Sequence, residues 1–264
     1  MFYFMGKSTS ILRRIEEDTT DVDLYALFDS PSTRRVFNLV IEADVLVRST
    51  STSNAALYAS QDFPEGSALR IINKGCIHGM GGVPSEELYE VEDLPYSFVF
   101  EGAFGGTAIK LPCSTFVDNF FGYIFGGGGS GTGCVVVVCR GVGPPQFAWS
   151  AAVAGNGAGT SIDVTDSWFS TLPSTCSLEV YQGEISSFGV SGSPGQGGSF
   201  TMDGNEFSSG AGGAYGENGA SLVINGYAEA SFPGGAAGAA VDPNGFQLTF
   251  TSGLTATRVK GSYT

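Results

Sequence analysis

Glycine recurs at every third residue in two stretches of this chain, Gly189, Gly192, Gly195, Gly198 and then Gly210, Gly213, Gly216, Gly219. Shorter versions stand at Gly126 and Gly129 and at Gly235 and Gly238. A period of three fits neither the alternation of a strand nor the turn of an α-helix. It fits the left-handed polyproline-II helix, which has no internal hydrogen bonds. The backbone donors and acceptors of such a helix must be met by neighbouring segments, and glycine at every third position lets those neighbours approach. Collagen is excluded, because the ladders are short, Pro numbers only 11, and Phe and Met interrupt the pattern. The expected structure is a set of packed, polyglycine-II-like extended segments. Flexible glycine loops between strands are the alternative.

Charge narrows the class further. Lys, Arg, Asp and Glu make up 14% of the 264 residues, against about 25% in ordinary soluble domains. That argues against a coiled coil or a helical enzyme. Hydrophobic residues reach 42%, with 20 Phe and 10 Tyr, too many for a disordered chain. The net charge of -14 repels phosphate backbones and anionic lipid heads, so neither nucleic acid nor a membrane surface is an expected partner. No Lys or Arg falls between Gly141 and Thr257. No apolar run has the length of a transmembrane helix, and no membrane insertion is expected. Cys76, Cys113, Cys134, Cys139 and Cys176 are odd in number and irregular in spacing. They read as buried free thiols of a protein made in a reducing cytosol. The opening MFYFMGK lacks the basic n-region and the apolar length of a secretory signal.

Three regions follow from texture. Residues 1–35 are charged, with Ser8 to Ser10 placed to cap a short helix through Glu17. The acids Glu16, Glu17, Asp18, Asp21 and Asp23 read as a solvated face. Residues 36–121 are β-rich, with VFNLVIEADVLV, ALRIIN and AIKLPCSTFVDNFF as strands and 84–95 as an acidic loop or short helix. Residues 122–264 are the glycine-rich region; 29 of the 40 glycines lie between 122 and 245. The fold class is mainly β with a short helical N-terminal region. LRIINKGCIHGMGG, STFVDNFFGYIFGGGG and SLVINGYAEASFPGG form an imperfect repeat, each a strand feeding a glycine turn, as in a growing solenoid.

Catalytic constellations are weak. GGGGSGTG at 126–133 has no Lys before its Ser or Thr and runs into the strand-like CVVVVC, so it is not a phosphate loop. His78 is the lone histidine; Cys76, two residues away on the same strand face, is within hydrogen-bond reach of it. No CxxC spacing supports zinc, and the acidic loops Asp163–Asp166 and Asp203–Glu206 lack an EF-hand pattern. No cofactor and no metal are expected. Carboxylates are numerous, but nothing singles out a pair for glycoside cleavage.

A family resemblance emerges at both ends of the glycine region. NLVIEADVLVRSTSTSNAALYASQDFPEGSALRIINKGCIHGMGG resembles the opening of glycine-rich domains in tailed-bacteriophage proteins. FPGGAAGAAVDPNGFQLTFTSGLTATRVKGSYT resembles the way such domains close. The family comprises tail-tip host-specificity proteins and adhesins that cap long tail fibres. The resemblance implies a non-enzymatic structural virion protein at the tail tip or fibre, assembled in the host cytoplasm. Implied partners are other virion proteins of the tail tip, baseplate or fibre, and a host cell-surface receptor. A head fibre or capsid decoration protein and a surface-polysaccharide hydrolase stay open as alternatives.

Two sets of contact residues are expected. Trp149 and Phe147, Trp168 and Phe169, and Tyr215 sit in loops near 143–150, 165–170 and 213–218, where aromatics suit a binding tip without cations. Arg13, Arg14, Arg34 and Arg35 suit docking of residues 1–35 onto an acidic neighbour in the virion. Removal of residues 1–30 is expected to leave the remainder folded.

Overall fold

The computed structural model describes residues 10–83, 88–90, 97–140, 146–152, 157–159, 177–181, 194–202, 205–226 and 230–263. Two compact units are assembled from interleaved stretches. Unit 1 takes residues 1–79, 107–126 and 239–264; unit 2 takes 80–106 and 127–238. Neither unit begins or ends at residue 35 or 121.

Unit 1 is a three-sided parallel solenoid. Each turn of chain lays one strand on each of three sheets, except that the fifth turn supplies only two. The first turn is β1 (Ser10–Ile15), β2 (Thr19–Thr20) and β3 (Val22–Asp23); the second is β4 (Val36–Ile41), β5 (Leu46–Arg48) and β6 (Leu57–Tyr58). The third is β7 (Ala68–Asn73), β8 (Cys76–His78) and β11 (Ile109–Lys110); the fourth is β12 (Ser114–Asp118), β13 (Tyr123–Phe125) and β21 (Val241–Asp242). β22 (Leu248–Ser252) and β23 (Val259–Lys260) form the fifth. All of these pairings are parallel and put equivalent positions of successive turns in one column. Leu39, Ile71 and Val117 stack on the first sheet, Val47, Ile77, Ile124 and Val259 on the second, and Leu57, Ile109 and Val241 on the third. All ten are buried, and burying each contributes about 1.5–3 kcal/mol. Phe28, Phe37 and Phe63 close the aromatic part of this core, with ring centroids 4.6–5.9 Å apart.

The N-terminal region corrects the sequence reading. Ser10–Ile15 is a strand, not a capped helix, and pairs over six residues with β4. Ile11 and Ile15 are four residues apart, a spacing that serves one face of a helix and one face of a strand alike; the long pairing with VFNLVI decides between them. The helix α1 is only Leu24–Leu27, capped by Asp23, whose carboxylate accepts the Tyr25 N–H at 2.9 Å. Left-handed Asp29 and Ser30 end it, with φ of 59° and 52°. VDLYALF is therefore a strand that turns into a helix.

The acidic run is structural as well as solvated. Asp18 accepts the Leu46 N–H at 2.8 Å, Asp21 the Thr50 N–H at 3.0 Å, and Asp23 the Ser60 N–H at 3.0 Å. Each bond ties the first turn of the solenoid to the second.

Among its described residues, unit 2 contains two sheets and a set of glycine segments outside regular structure. One sheet holds β9 (Leu88–Glu90), β10 (Ser97–Phe100), β14 (Gly133–Arg140), β15 (Gln146–Ala152) and β16 (Ser177–Tyr181). Within the acidic stretch 84–95, expected as a loop or short helix, residues 88–90 are the strand β9; the rest of the stretch lies outside the described residues. The other sheet is an antiparallel meander of β17 (Ser199–Met202), β18 (Asn205–Ser208), β19 (Leu222–Asn225) and β20 (Ala230–Phe232). The expected triple repeat is thus correct for two members. LRIINKGCIHG and STFVDNFFGYIFG are successive solenoid turns, while SLVINGYAEASF is the β19–β20 hairpin.

Residues 127–132 thread the middle of the glycine segments. N–H groups of Gly127, Gly128, Gly129, Ser130 and Thr132 donate to Gly106, Ala158, Glu217, Ala103 and Ala220, at 2.9, 3.1, 3.0, 3.0 and 3.3 Å. Their carbonyls accept from Gly238, Gly82, Gly213, Gly235 and Gly210, at 2.8, 2.8, 2.7, 2.8 and 2.9 Å. Residues three apart return to the same neighbour. Positions 127 and 130 bond to 103–106 and to 235–238; 129 and 132 bond to 217–220 and to 210–213. Gly195 and Gly198 accept from Gly212 and Ser209; Gly189 and Gly192 lie outside the described residues. The mainly β fold with little helix expected from the sequence is the observed one.

Candidate functional site

Cys76 and His78 share one face of β8, with Sγ and Nε2 2.7 Å apart. Both are buried, and the imidazole stacks on Phe125 at 5.7 Å. Burial pushes the Cys76 thiol up to about 12. Burial, and then the Arg48 charge, lower His78 to about 4. At neutral pH the pair is therefore thiol and neutral imidazole, with no access for a substrate. It acts as a packing element of the second sheet and is not a thiolate nucleophile. Cys113 is likewise a free, buried thiol, and Cys134 is buried. Among the described residues, no group of three or more His, Cys, Asp or Glu is placed to hold a metal ion.

Two of the four docking arginines are engaged within unit 1. Arg13 pairs with Asp29 and donates through Nε to the Leu27 carbonyl at 3.0 Å. Arg14 pairs with Glu42, whose second carboxylate oxygen holds Lys74 at 2.7 Å. Each guanidinium thus already has an acidic partner within unit 1, while the side chains of Arg13 and Arg14 remain 36% and 47% exposed. Arg35 donates to the Thr33 hydroxyl at 3.1 Å. The Arg34 side chain lies over Gly66, so close that a Cβ there would sit 3.0 Å from its Nε.

The aromatic candidates also separate. Trp149 and Phe147 belong to β15, between β14 and β16, and not to a loop; Trp149 is opposite Val137 on one side and Leu178 on the other. A run of β-branched and aromatic residues after PP carries that strand. Tyr215 is 3% exposed, so its ring belongs to the interior of unit 2 and is corrected as a contact residue. Trp168 and Phe169 lie outside the described residues.

Exposed aromatics that sequence reasoning missed stand elsewhere. Phe116, Phe120 and Phe121 of unit 1 are 44%, 57% and 67% exposed, and Phe120 meets Phe121 edge-on at 4.8 Å. Phe104 of unit 2 is also exposed. The signal was present in the repeat. Where the third turn rounds its corner as Asn73-Lys74-Gly75, the fourth does so as Asn119-Phe120-Phe121-Gly122.

At the start of the solenoid, β1, β2 and β3 are each the terminal strand of their sheet. A cavity of about 400 Å³ opens there, bordered by Arg14–Thr19, Val22 and Leu27.

Comparison with known proteins supplies the identity that this geometry lacks. In the crystal structure of the gp37-gp38 adhesin tip complex of the bacteriophage S16 long tail fiber, one chain aligns over 99% of this chain and 85% of its own. The identity is 19% and the TM-score 0.56, a likeness of fold. No curated protein matches. The family described as phage tail fibre adhesin Gp38 matches residues 10–264. With that match spanning nearly the whole sequence, the chain belongs to the phage tail fibre adhesin Gp38 family.

Proposed function

We propose that this chain closes a phage tail fibre, holding to other fibre proteins through unit 1 and to the host surface through unit 2. Membership of the adhesin family, across residues 10–264, carries the reading. It makes the chain a structural, non-enzymatic virion protein of the tail, and it leaves the head-fibre and hydrolase alternatives without support. The S16 chain of like fold belongs to a gp37-gp38 adhesin tip complex; a fibre partner of that kind is proposed for this chain. Assembly in the host cytoplasm accords with buried free thiols at Cys76 and Cys113.

The glycine segments are read as polyglycine-II-like packing. Bonds that return to the same neighbour every third residue are what a three-residue screw produces. Close approach at the glycines supports the same reading. A Cβ on Gly127, Gly128, Gly129 or Gly131 would lie 1.9–2.0 Å from a neighbouring carbonyl oxygen. Such a frame has few side chains to offer, so host contact falls to the segments it supports, near 143–150 and 165–170, with Trp149, Trp168, Phe147 and Phe169 as the contact residues. Within unit 1, residues 1–35 serve docking and the later solenoid turns form the β-rich frame, while the glycine-rich unit 2 is the host-binding part.

Adsorption tests the reading. Particles assembled without this chain should bind host cells at least about tenfold less well, and purified chain should compete with complete particles. Normal adsorption of the deficient particles would end it.

A further inference from the structure

Charge is divided unequally between the two units. Residues 80–106 and 127–238 hold 14 of the 26 Asp and Glu but only one of the 12 Lys and Arg, Arg140. Unit 1 holds the other 12 acids against 11 bases and is close to neutral. Interleaving hides this in the sequence, because strands of the solenoid stand between the acidic stretch 84–95 and the cation-free stretch 141–257. The net charge of -14 belongs almost wholly to unit 2.

The carboxylates of the two units are also used differently. In unit 1, Asp29 holds Arg13, Glu42 holds Arg14 and Lys74, and Asp18, Asp21 and Asp23 accept backbone N–H groups. In unit 2 the acids are dispersed. Glu90 is on β9, Glu179 on β16 and Glu206 on β18, while Glu101 and Glu217 lie in glycine segments. Glu101, Glu206 and Glu217 are exposed and make no ion pair among the described residues. Charges so spread make a field rather than a site. The backbone offers an anion nothing in return, since the N–H groups of Gly127, Gly128, Gly129, Ser130 and Thr132 are already given to carbonyls.

Bacterial envelopes carry phosphate and carboxylate groups, so unit 2 meets them as like charge meets like. The range of that repulsion is the Debye length, about 30 Å at 0.01 M salt and about 8 Å at 0.15 M. The longer range is about the diameter of a small domain; the shorter is little more than a side chain. We propose that unit 2 is an electrostatic gate on host attachment, slowing approach to the anionic cell surface in dilute medium and opening when dissolved cations screen it. The proposal rests on the host-attachment reading above and concerns the rate of encounter.

The test follows binding of labelled, purified full-length chain to host cells at about 10 and about 150 mM NaCl. Wild-type association is expected to quicken at least about tenfold between the two, with dissociation changed much less. The triple variant Glu101→Lys, Glu206→Lys, Glu217→Lys removes nearly half the net charge of unit 2 at exposed positions, so its thermal melt should be unchanged. It should associate at least about threefold faster than wild type at low salt and like wild type at high salt. A matched triple in unit 1, Glu16→Lys, Glu17→Lys, Glu65→Lys, alters the total charge equally at exposed positions and should gain less. Wild-type association that slows or stays level as salt rises overturns the proposal; slowing would make the partner a cationic surface. Wild-type rates for the unit 2 triple at low salt overturn it as well. An equal gain from the unit 1 triple overturns the assignment to unit 2. Wild-type chain that binds cells at neither salt overturns the host-attachment reading itself.

Discussion

The Nδ2 of Asn73 donates to the Oδ1 of Asn119 at 2.7 Å, across 46 residues of sequence. The two amides occupy the same corner of consecutive solenoid turns and are 1% and 0% exposed. Asn73 also accepts the Gly75 N–H at 3.2 Å and reaches the Tyr123 carbonyl at 3.1 Å, so one side chain serves two turns of backbone. Asn119→Ala strands a buried amide, which costs about 1–3 kcal/mol. Urea denaturation of the variant should show a lower midpoint. An unchanged midpoint would mean that the corner is held by its backbone alone.

A single methyl group should disrupt unit 2. The Cβ of an alanine at Gly128 would lie 2.0 Å from the Gly213 oxygen, and at Gly129 1.9 Å from the Gly235 oxygen. These neighbours are main chain, held in turn by their own hydrogen bonds, and cannot step aside as a side chain would. Gly128→Ala and Gly129→Ala should each cost about 3 kcal/mol or more. Limited proteolysis should cut within 127–238 in these variants while peptides of unit 1 stay protected. Uniform protection would contradict close packing of the glycine segments.

Much of unit 1 was legible as strands, because VFNLVI is β-branched and partly alternating, and ALRIIN and STFVD run to Asn73 and Asn119. Their assembly into turns was visible in two repeat members and hidden in the others. The solenoid leaves off at Gly79 and at Gly126 and resumes at Thr107 and at Ala239, so its third-sheet strands stand far from their neighbours in sequence. A period of three was legible in the glycine spacing, and hydrogen bonds at that spacing run through 127–132. Reading Trp149 as a loop residue failed because Gly and Pro at 141–145 drew attention from the seven-residue strand behind them. The pairing of Arg13 with Asp29 and of Arg14 with Glu42 was not legible, because the partners are 16 and 28 residues away in sequence.

Stability should be greatest over a plateau near neutral pH. His78 is held at about 4, below its ordinary 6.5, so the unfolded chain binds the proton more readily. Stability is then present above about 6.5 and is lost as pH falls toward about 4. For Asp23, burial raises the carboxyl pKa, but hydrogen bonds from Ser60, Tyr25 and Ala26 outweigh it and leave it below 3.8. The Lys74 hydrogen bond, opposed by desolvation and aided by the Lys74 and Arg14 charges, depresses Glu42 below 4.5. Both carboxylates extend the acid loss as pH falls through their lowered values. On the alkaline side, Cys76 and Cys113 are raised by burial from 9.0 to about 12, so stability declines between those limits. Thermal melts from pH 3 to 11 should trace this shape. His78→Gln should flatten the limb between about 4 and 6.5 whatever its effect on the plateau.

Host contact can be separated from packing by three alanine variants. Trp149→Ala and Trp168→Ala should lower adsorption of assembled particles, each by about 2 kcal/mol if the ring is a binding anchor. Tyr215→Ala removes a ring that is 3% exposed, and should act on folding instead. Its expected signature is a lower melting temperature, at a cost of about 3 kcal/mol. Adsorption that survives both tryptophan changes, with assembly normal, would assign host binding to other side chains.

Truncation at the N-terminus should reveal how far the docking region also builds the core. The sequence treated residues 1–30 as separable, but Leu24 is fully buried and Phe28 is 1% exposed. The Phe28 ring packs on Phe37 at 5.0 Å and on Phe63 at 5.9 Å, both on later turns of the solenoid. Deleting residues 1–30 removes that aromatic contact, Leu24 and the six-residue pairing of β1 with β4. Loss of Phe28 alone is worth about 3–5 kcal/mol, a large fraction of a domain stability of about 5–15 kcal/mol. Phe28→Ala should therefore melt well below wild type, and the 1–30 deletion should be recovered insoluble or protease-sensitive. A soluble, cooperatively melting deletion variant would show that the solenoid starts at its second turn and that the first is an appendage.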